Sequence, residues 1–374
     1  MSGLADVVPR HDESAGYQWE PSDAQIAAAW GIDPAQVVRF DTNTSPRTPP
    51  SLVAWIGAAA SPPAAPLNEY PDTTYAALTA AISANIGAAS SRVVVGAGAD
   101  EVLDIAARTF LPPGGRAVVA TPSYGMYPVI TRQRHAALVE VPRGSALDGF
   151  PLDADRLAQA ATGADLLWLC DPNNPTGTVE APGVLRALLD RLAAGPGGGP
   201  VVVVDEAYRE FAGPSLVDEV GRFPRLVVVR TLSKAYGLAG VRVGYGVAQE
   251  PLLARLSAVR PPGSIATLSA AIGAAALREG AFARSNVAAI GLERERFRSA
   301  LERVGWHVEP SVTNFLLLDA GGPGEAGAAA ARLLRRGFVP RRFGAGPLRG
   351  HLRITVRTAD QDDRLVAALA EGTT

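Results

Sequence analysis

Val201-Val202-Val203-Val204-Asp205-Glu206-Ala207-Tyr208 is the stretch on which the fold turns. Four consecutive β-branched residues do not alternate between a buried and a wet face. The strand they form is therefore covered on both sides, as in a parallel sheet flanked by helices. The same texture recurs around it. Short apolar runs at Val93–Val95, Ala117–Ala120, Leu138–Val141, Leu166–Cys170 and Leu226–Val229 read as further strands, with helices at Asp100–Phe110 and Ala181–Ala194. Strands alternating with helices predict an α/β fold built on a mostly parallel sheet.

Outside this block the pattern changes. Residues 1–20 are polar and read as an arm, followed by a short helix from Ser22 to Trp30 that Gly31 stops, and by a strand candidate at Val37–Phe40. Pro62, Pro63 and Pro66 form a linker into the larger unit. Beyond about residue 275 come a long helix at Ala281–Val304, a strand at Asn314–Leu318, a helix at Glu325–Arg336, a strand at His351–Val356 and a last helix from Asp360. The expected organisation is an N-terminal arm and small-domain segment over residues 1–60, a large domain over 61–274 and a smaller α+β domain over 275–374.

Composition removes several classes. The chain is 374 residues long, 47% hydrophobic and 19% charged, with a formal net charge of -2. That balance argues against a nucleic-acid or anionic-membrane surface. The single cysteine, Cys170, excludes an internal disulfide framework. It lies inside the apolar run Leu166–Cys170 and reads as a buried structural thiol. No apolar run approaches the length of a membrane span, and the first 30 residues hold no signal-peptide core, so a cytoplasmic location is expected. His11, His135, His307 and His351 are scattered without paired spacing, and no metal site is expected.

In open α/β sheets, ligands bind beyond the carboxyl ends of the strands. Val95 runs into Gly96-Ala97-Gly98-Ala99-Asp100-Glu101, a glycine turn entering a helix whose first N–H groups suit an anion such as phosphate. Glu101 occupies the third glycine position of a dinucleotide fingerprint, which disfavours a nicotinamide enzyme. Leu166–Cys170 ends in Asp171-Pro172-Asn173-Asn174-Pro175-Thr176-Gly177, a tight loop that presents an amide. Asp205 closes a buried strand and needs a cationic partner. Leu226–Val229 leads into Arg230-Thr231-Leu232-Ser233-Lys234, with Arg242 eight residues on. Lys234 is the only lysine, all 34 other basic residues being arginine. A guanidinium stays protonated, whereas an amine can lose its proton and condense with an aldehyde.

Asn174 in Asn-Pro-Thr-Gly, Asp205 with Tyr208, and Ser233-Lys234 with Arg242 together resemble the fold-type I pyridoxal-phosphate aminotransferases, over nearly the whole chain. The resemblance implies that Lys234 holds the cofactor aldehyde and then moves a proton between the substrate α-carbon and the cofactor. It implies that Asp205 pairs with the pyridinium nitrogen. By the same likeness Asn174 and Tyr208 bond the ring's phenolic oxygen, Ala99, Asp100, Thr231, Ser233 and Arg242 hold the phosphate, and Tyr124 stacks on the ring.

Within that superfamily the chain is most similar to the histidinol-phosphate aminotransferases. The pieces that match are Asn68-Glu69-Tyr70-Pro71-Asp72, Gly98-Ala99-Asp100-Glu101, Pro122-Ser123-Tyr124-Gly125-Met126-Tyr127, Arg230-Thr231-Leu232-Ser233-Lys234-Ala235 and Leu352-Arg353-Ile354-Thr355-Val356. The likeness implies a homodimer in which Tyr70 reaches the cofactor phosphate of the neighbouring subunit. It also implies that Arg353, assisted by Arg341, binds the substrate anion, that Asn174 lines the substrate, and that Tyr17 closes the pocket. A small-molecule amino donor and a 2-oxo acid acceptor are the expected partners. Asn43-Thr44-Ser45-Pro46 stands where these enzymes more often have Asn-Glu-Asn-Pro, and Ala97 replaces a common Asn, which leaves the donor open. Histidinol phosphate is the first expectation and an aromatic amino acid the second, and a decarboxylase of a phosphorylated amino acid shares the cofactor set. A pyridoxal-phosphate-sensing regulator would need a basic DNA-binding module, yet residues 1–60 hold only Arg10, Arg39 and Arg47.

Overall fold

A computed structural model of the chain describes residues 20–50, 68–181 and 183–371. Its centre is a seven-stranded sheet in the order β2-β8-β7-β6-β5-β3-β4. The strands are β2 (Val93–Gly96), β3 (Arg116–Thr121), β4 (Ala137–Pro142), β5 (Leu166–Cys170), β6 (Val201–Asp205), β7 (Leu226–Thr231) and β8 (Gly244–Val247). Five of them, from β7 through β4, run parallel. The valine run behaves as its composition requires. Val202 and Val204 point into one apolar cluster with Leu167 and Val228, while Val201 and Val203 point into another with Trp168 and Val227. Both faces are sealed, and only the strand ends offer room for polar chemistry.

One strand of this seven-stranded sheet lay beyond the sequence reading. Gly244-Tyr245-Gly246-Val247 forms β8, antiparallel to both β2 and β7. Two glycines in four residues hide it from any propensity argument. They are there because the helix Ala99–Phe110 and its entry turn press on that face. A Cβ on Gly244 would sit 2.3 Å from the Gly98 carbonyl carbon and 2.4 Å from the Ala99 nitrogen. One on Gly246 would meet Val102 at 3.0 Å.

The smaller unit carries the antiparallel sheet β12-β13-β10-β9, from β9 (His307–Val308), β10 (Phe315–Asp319), β12 (Arg341–Arg342) and β13 (His351–Thr355). The N-terminal segment joins it. The two-residue strand β1 (Val38–Arg39) pairs in parallel with β11 (Phe338–Val339), and Phe40 is buried with Phe297, Leu316 and Ile354. The first helix, Asp23–Trp30, has the expected start and stop: a capping box between Ser22 and Gln25, and Gly31 in the left-handed region. The second large helix of the sequence reading begins later than expected, at Val184 rather than Ala181, behind Gly183 at φ 88°. Cys170 is buried, and burial pushes its thiol up to about 12. Tyr17 and the Pro62–Pro66 linker lie outside the described residues.

Replacing Gly244 with Ala should cost about 1–3 kcal/mol through overpacking against the Gly98-Ala99 backbone. Thermal unfolding checks this against Gly240→Ala, where no atom lies within 4 Å of the added carbon and no change is expected.

Candidate active site

The carboxyl ends of β3, β5, β6 and β7 face the small sheet across a cavity of about 630 Å³. Ala99, Asp100, Tyr124, Asn174, Asp205, Tyr208, Thr231, Ser233, Lys234, Arg242, Arg341 and Arg353 all line it. Residues 254 positions apart in the numbering, Ala99 and Arg353, are thus drawn to one place by the topology. Tyr70 stands apart: its side chain is 95% exposed on the turn before the helix Ala76–Ile86.

Lys234 follows β7 by three residues. Its Nζ donates to the Asn43 carbonyl at 3.1 Å and lies 5.6 Å from the centre of the Tyr208 ring. Burial, reinforced by the positive charge of Arg353, lowers its pKa to about 8. A useful fraction of the amine is therefore neutral and nucleophilic near neutral pH.

Asp205 is buried at the end of β6. The Tyr127 hydroxyl donates to it at 2.9 Å and the Ala207 N–H at 3.0 Å. Burial pushes its carboxyl up to about 6. The cation expected from the sequence is not supplied within ion-pair distance by any described residue, so the group stands buried with neutral donors only.

The glycine turn and the β7 exit make the polar end of the cavity. Thr231 Oγ1 donates to Ser233 Oγ at 2.9 Å and accepts from the Ser233 N–H at 3.2 Å. Arg242 adopts a left-handed φ of 55° and places Nη2 3.2 Å from Asp100 Oδ2. Gly98 admits that guanidinium, since a Cβ there would lie 2.4 Å from Arg242 Nη2. Tyr124 donates to Asp100 Oδ1 at 2.9 Å and packs edge-on against Tyr127.

At the opposite end Arg353, on β13, is buried. Its Nη1 donates to Asn174 Oδ1 at 2.6 Å, and its Nη2 donates to the Asp41 carbonyl at 2.5 Å. Burial lowers its pKa. Arg341 sits nearer the mouth and pairs with Glu20 at 2.6 Å. The Tyr208 hydroxyl accepts from Asn43 Nδ2 at 2.9 Å.

Two residues of this arrangement, Asn43 and Tyr127, stand in stretches quoted from the sequence but were given no role in the site there. Asn43 has φ 52°, a conformation asparagine tolerates better than most, and it lies in the turn-rich stretch Asp41–Pro46. Its partners Thr355 and Asn314 are remote in sequence, so only the fold discloses it. Tyr127 falls inside a stretch already singled out, but nothing local shows that its hydroxyl reaches Asp205.

The sequence profile described as aminotransferase class I and II matches residues 37–369. The chain belongs to that family. The aminotransferase is 39% identical over 344 residues to the histidinol-phosphate aminotransferase of Symbiobacterium thermophilum, covering 90% of this chain and 91% of that one. It is 36% identical to the histidinol-phosphate aminotransferase of Roseiflexus castenholzii, covering 92% of both chains. The crystal structure of histidinol-phosphate aminotransferase from Sinorhizobium meliloti in complex with pyridoxal-5'-phosphate superposes with a TM-score of 0.88, at 25% identity and 99% coverage of both chains. The aminotransferase uses pyridoxal 5'-phosphate. Its cavity has the chemistry that group requires: an amine of lowered pKa, a buried carboxylate without a cation, and hydroxyls, an arginine and a helix start at one end.

The drop of Lys234 from 10.5 to about 8 destabilises the cofactor-free protein at pH 7 by on the order of 3 kcal/mol. The unfolded chain keeps that proton up to a higher pH than the folded one, so stability rises between about pH 8 and 10.5. Cofactor-free Lys234→Met should accordingly melt higher than the native protein at pH 7, with the gap closing as pH approaches 10.5; parallel melting curves at several pH values check this.

Proposed function

We propose that the aminotransferase moves the amino group of L-histidinol phosphate to 2-oxoglutarate, a step of histidine biosynthesis. The observation that carries this reading is Arg353: a buried guanidinium facing the cavity, with neutral oxygens as its hydrogen-bond acceptors and a second arginine beside it. Such a pair suits the oxygens of a phosphate, which a forked guanidinium meets bidentately. The names of the relatives support the same donor.

When bound, pyridoxal phosphate supplies an aldehyde for the amine and an electron-accepting ring. The protein's own groups then have separate duties. Lys234, partly neutral at its lowered pKa, would move the proton between the donor's α-carbon and the cofactor, accepting it at Nζ and giving it up again in each half-reaction. Asp205 faces the ring nitrogen, which provides the cation that its burial calls for. Tyr208 accepts from Asn43 and keeps its own hydroxyl hydrogen to donate to the phenolic oxygen. Asn174 spends its carbonyl oxygen on Arg353 and offers its amide N–H groups to the same oxygen. Ala99, Asp100, Thr231, Ser233 and Arg242 hold the phosphate, and Tyr124 flanks the ring. Tyr70, 95% exposed here, reaches the active site of a second copy in a homodimer, with Tyr17 closing the pocket. The division near residues 61 and 275 separates the cofactor-holding unit from the one bearing Arg341 and Arg353. A cytoplasmic location goes with this metabolic role.

A panel of amino donors with 2-oxoglutarate tests the donor. Histidinol phosphate should give the highest kcat/KM, and phenylalanine outperforming it would replace that assignment. Arg353→Ala should lower kcat/KM for histidinol phosphate about ten- to hundredfold, the usual range for a charged hydrogen bond. Asp205→Asn should lower kcat by about a hundredfold or more while the protein stays folded by circular dichroism.

A further inference from the structure

We propose that Glu20 is a specificity-determining residue. It neutralises Arg341 at the mouth of the cavity and competes there with the anionic end of a ligand, so that it sets how strongly the site prefers a phosphate over a singly charged anion. The inference rests on the reading of Arg353 and Arg341 as the anion site.

The two arginines are direct cross-strand partners in the β12–β13 ladder, Arg341 opposite Arg353. Opposed residues of an antiparallel pair share a face and sit close together, and like charges so placed repel. Each guanidinium is relieved differently. Arg353 donates to Asn174 Oδ1 and to the Asp41 carbonyl. The Asp41 carboxylate, whose charge also acts on Arg353, makes its hydrogen bonds to Arg39, which holds both its oxygens at 2.7–2.8 Å. Arg341 instead meets the Glu20 carboxylate at 2.6 Å, and both side chains line the cavity.

Glu20 is also held in place. Arg39 Nη1 donates to the Pro21 carbonyl at 2.9 Å and to Asp23 at 3.0 Å, and the capping box at Ser22 fixes the turn that follows. The same arginine thus engages the Asp41 carboxylate and anchors the segment that delivers a carboxylate to Arg341. The Glu20 and Arg341 side chains are 30% and 39% exposed, which makes their ion pair weak and exchangeable. A ligand that needs only Arg353 leaves the pair intact. A dianionic phosphate that spans both arginines has to displace Glu20.

The test compares the native holoenzyme with Glu20→Gln, Arg341→Met and the double variant at constant ionic strength. Inorganic phosphate and acetate serve as probes, read by thermal-shift titration and by competitive inhibition of whichever amino donor the enzyme turns over. Glu20→Gln should tighten phosphate binding about two- to fivefold, the range expected when a partly exposed pair is removed, and leave acetate unaffected. The gain should vanish in the double variant. Unchanged phosphate binding in Glu20→Gln, with weakened binding in Arg341→Met, overturns the role of Glu20 and spares the anion site. Phosphate binding that Arg341→Met leaves unchanged overturns the two-arginine reading and this inference with it.

Discussion

A carboxylate at the closed end of a doubly buried strand is the constraint from which the rest follows. Val201–Val204 leave no solvent on either face of β6, and Asp205 emerges where two apolar layers end. Its donors are one hydroxyl and one backbone N–H, and its carboxyl is raised to about 6. A buried acid so placed costs stability in the empty protein. That cost is retained because the group is meant to answer to something that enters from outside.

Just below, a set of ion pairs keeps the neighbouring strand ends in register. Cys170 pairs with Asp205 across β5 and β6, so the following residues, Asp171 and Glu206, leave the sheet side by side. Arg209 donates to the Asp171 carboxylate and approaches Glu206 at 3.9 Å, while Arg230 lies 4.0 Å from Glu206 and 2.9 Å from Glu210. Burial raises the carboxyls of Asp171 and Glu206, and the arginines oppose the shift. One loop carries Asn174 and the other carries Tyr208, so their relative position is fixed by charges that never face the cavity.

The parallel sheet and the residues at its strand ends were legible because each rests on a local signal. The valine run, the proline-asparagine loop and the lone lysine can be read without knowing what they touch. What escaped reading was non-local. The strand at Gly244–Val247 has glycine where a Cβ would come within 2.4 Å of a helix turn, a demand invisible in four residues. Asn43 belongs to the site through Thr355, 312 residues away. The pairing of Arg341 with Glu20 spans 321 residues, and the sequence, which put Arg353 first and Arg341 as its helper, held no sign of it.

Phe40 donates its backbone N–H to Val339, Thr355 returns one to Phe40, and Asn314 donates to the Asn43 carbonyl that also receives Lys234. The wall of the cavity nearest the amine is therefore fastened by segments 271 to 315 residues further along the chain. During synthesis the large sheet can assemble while that wall still lacks its anchors. Until residues 314–355 are in place, the carbonyl that receives Lys234 lacks the donors and strand partners that hold it.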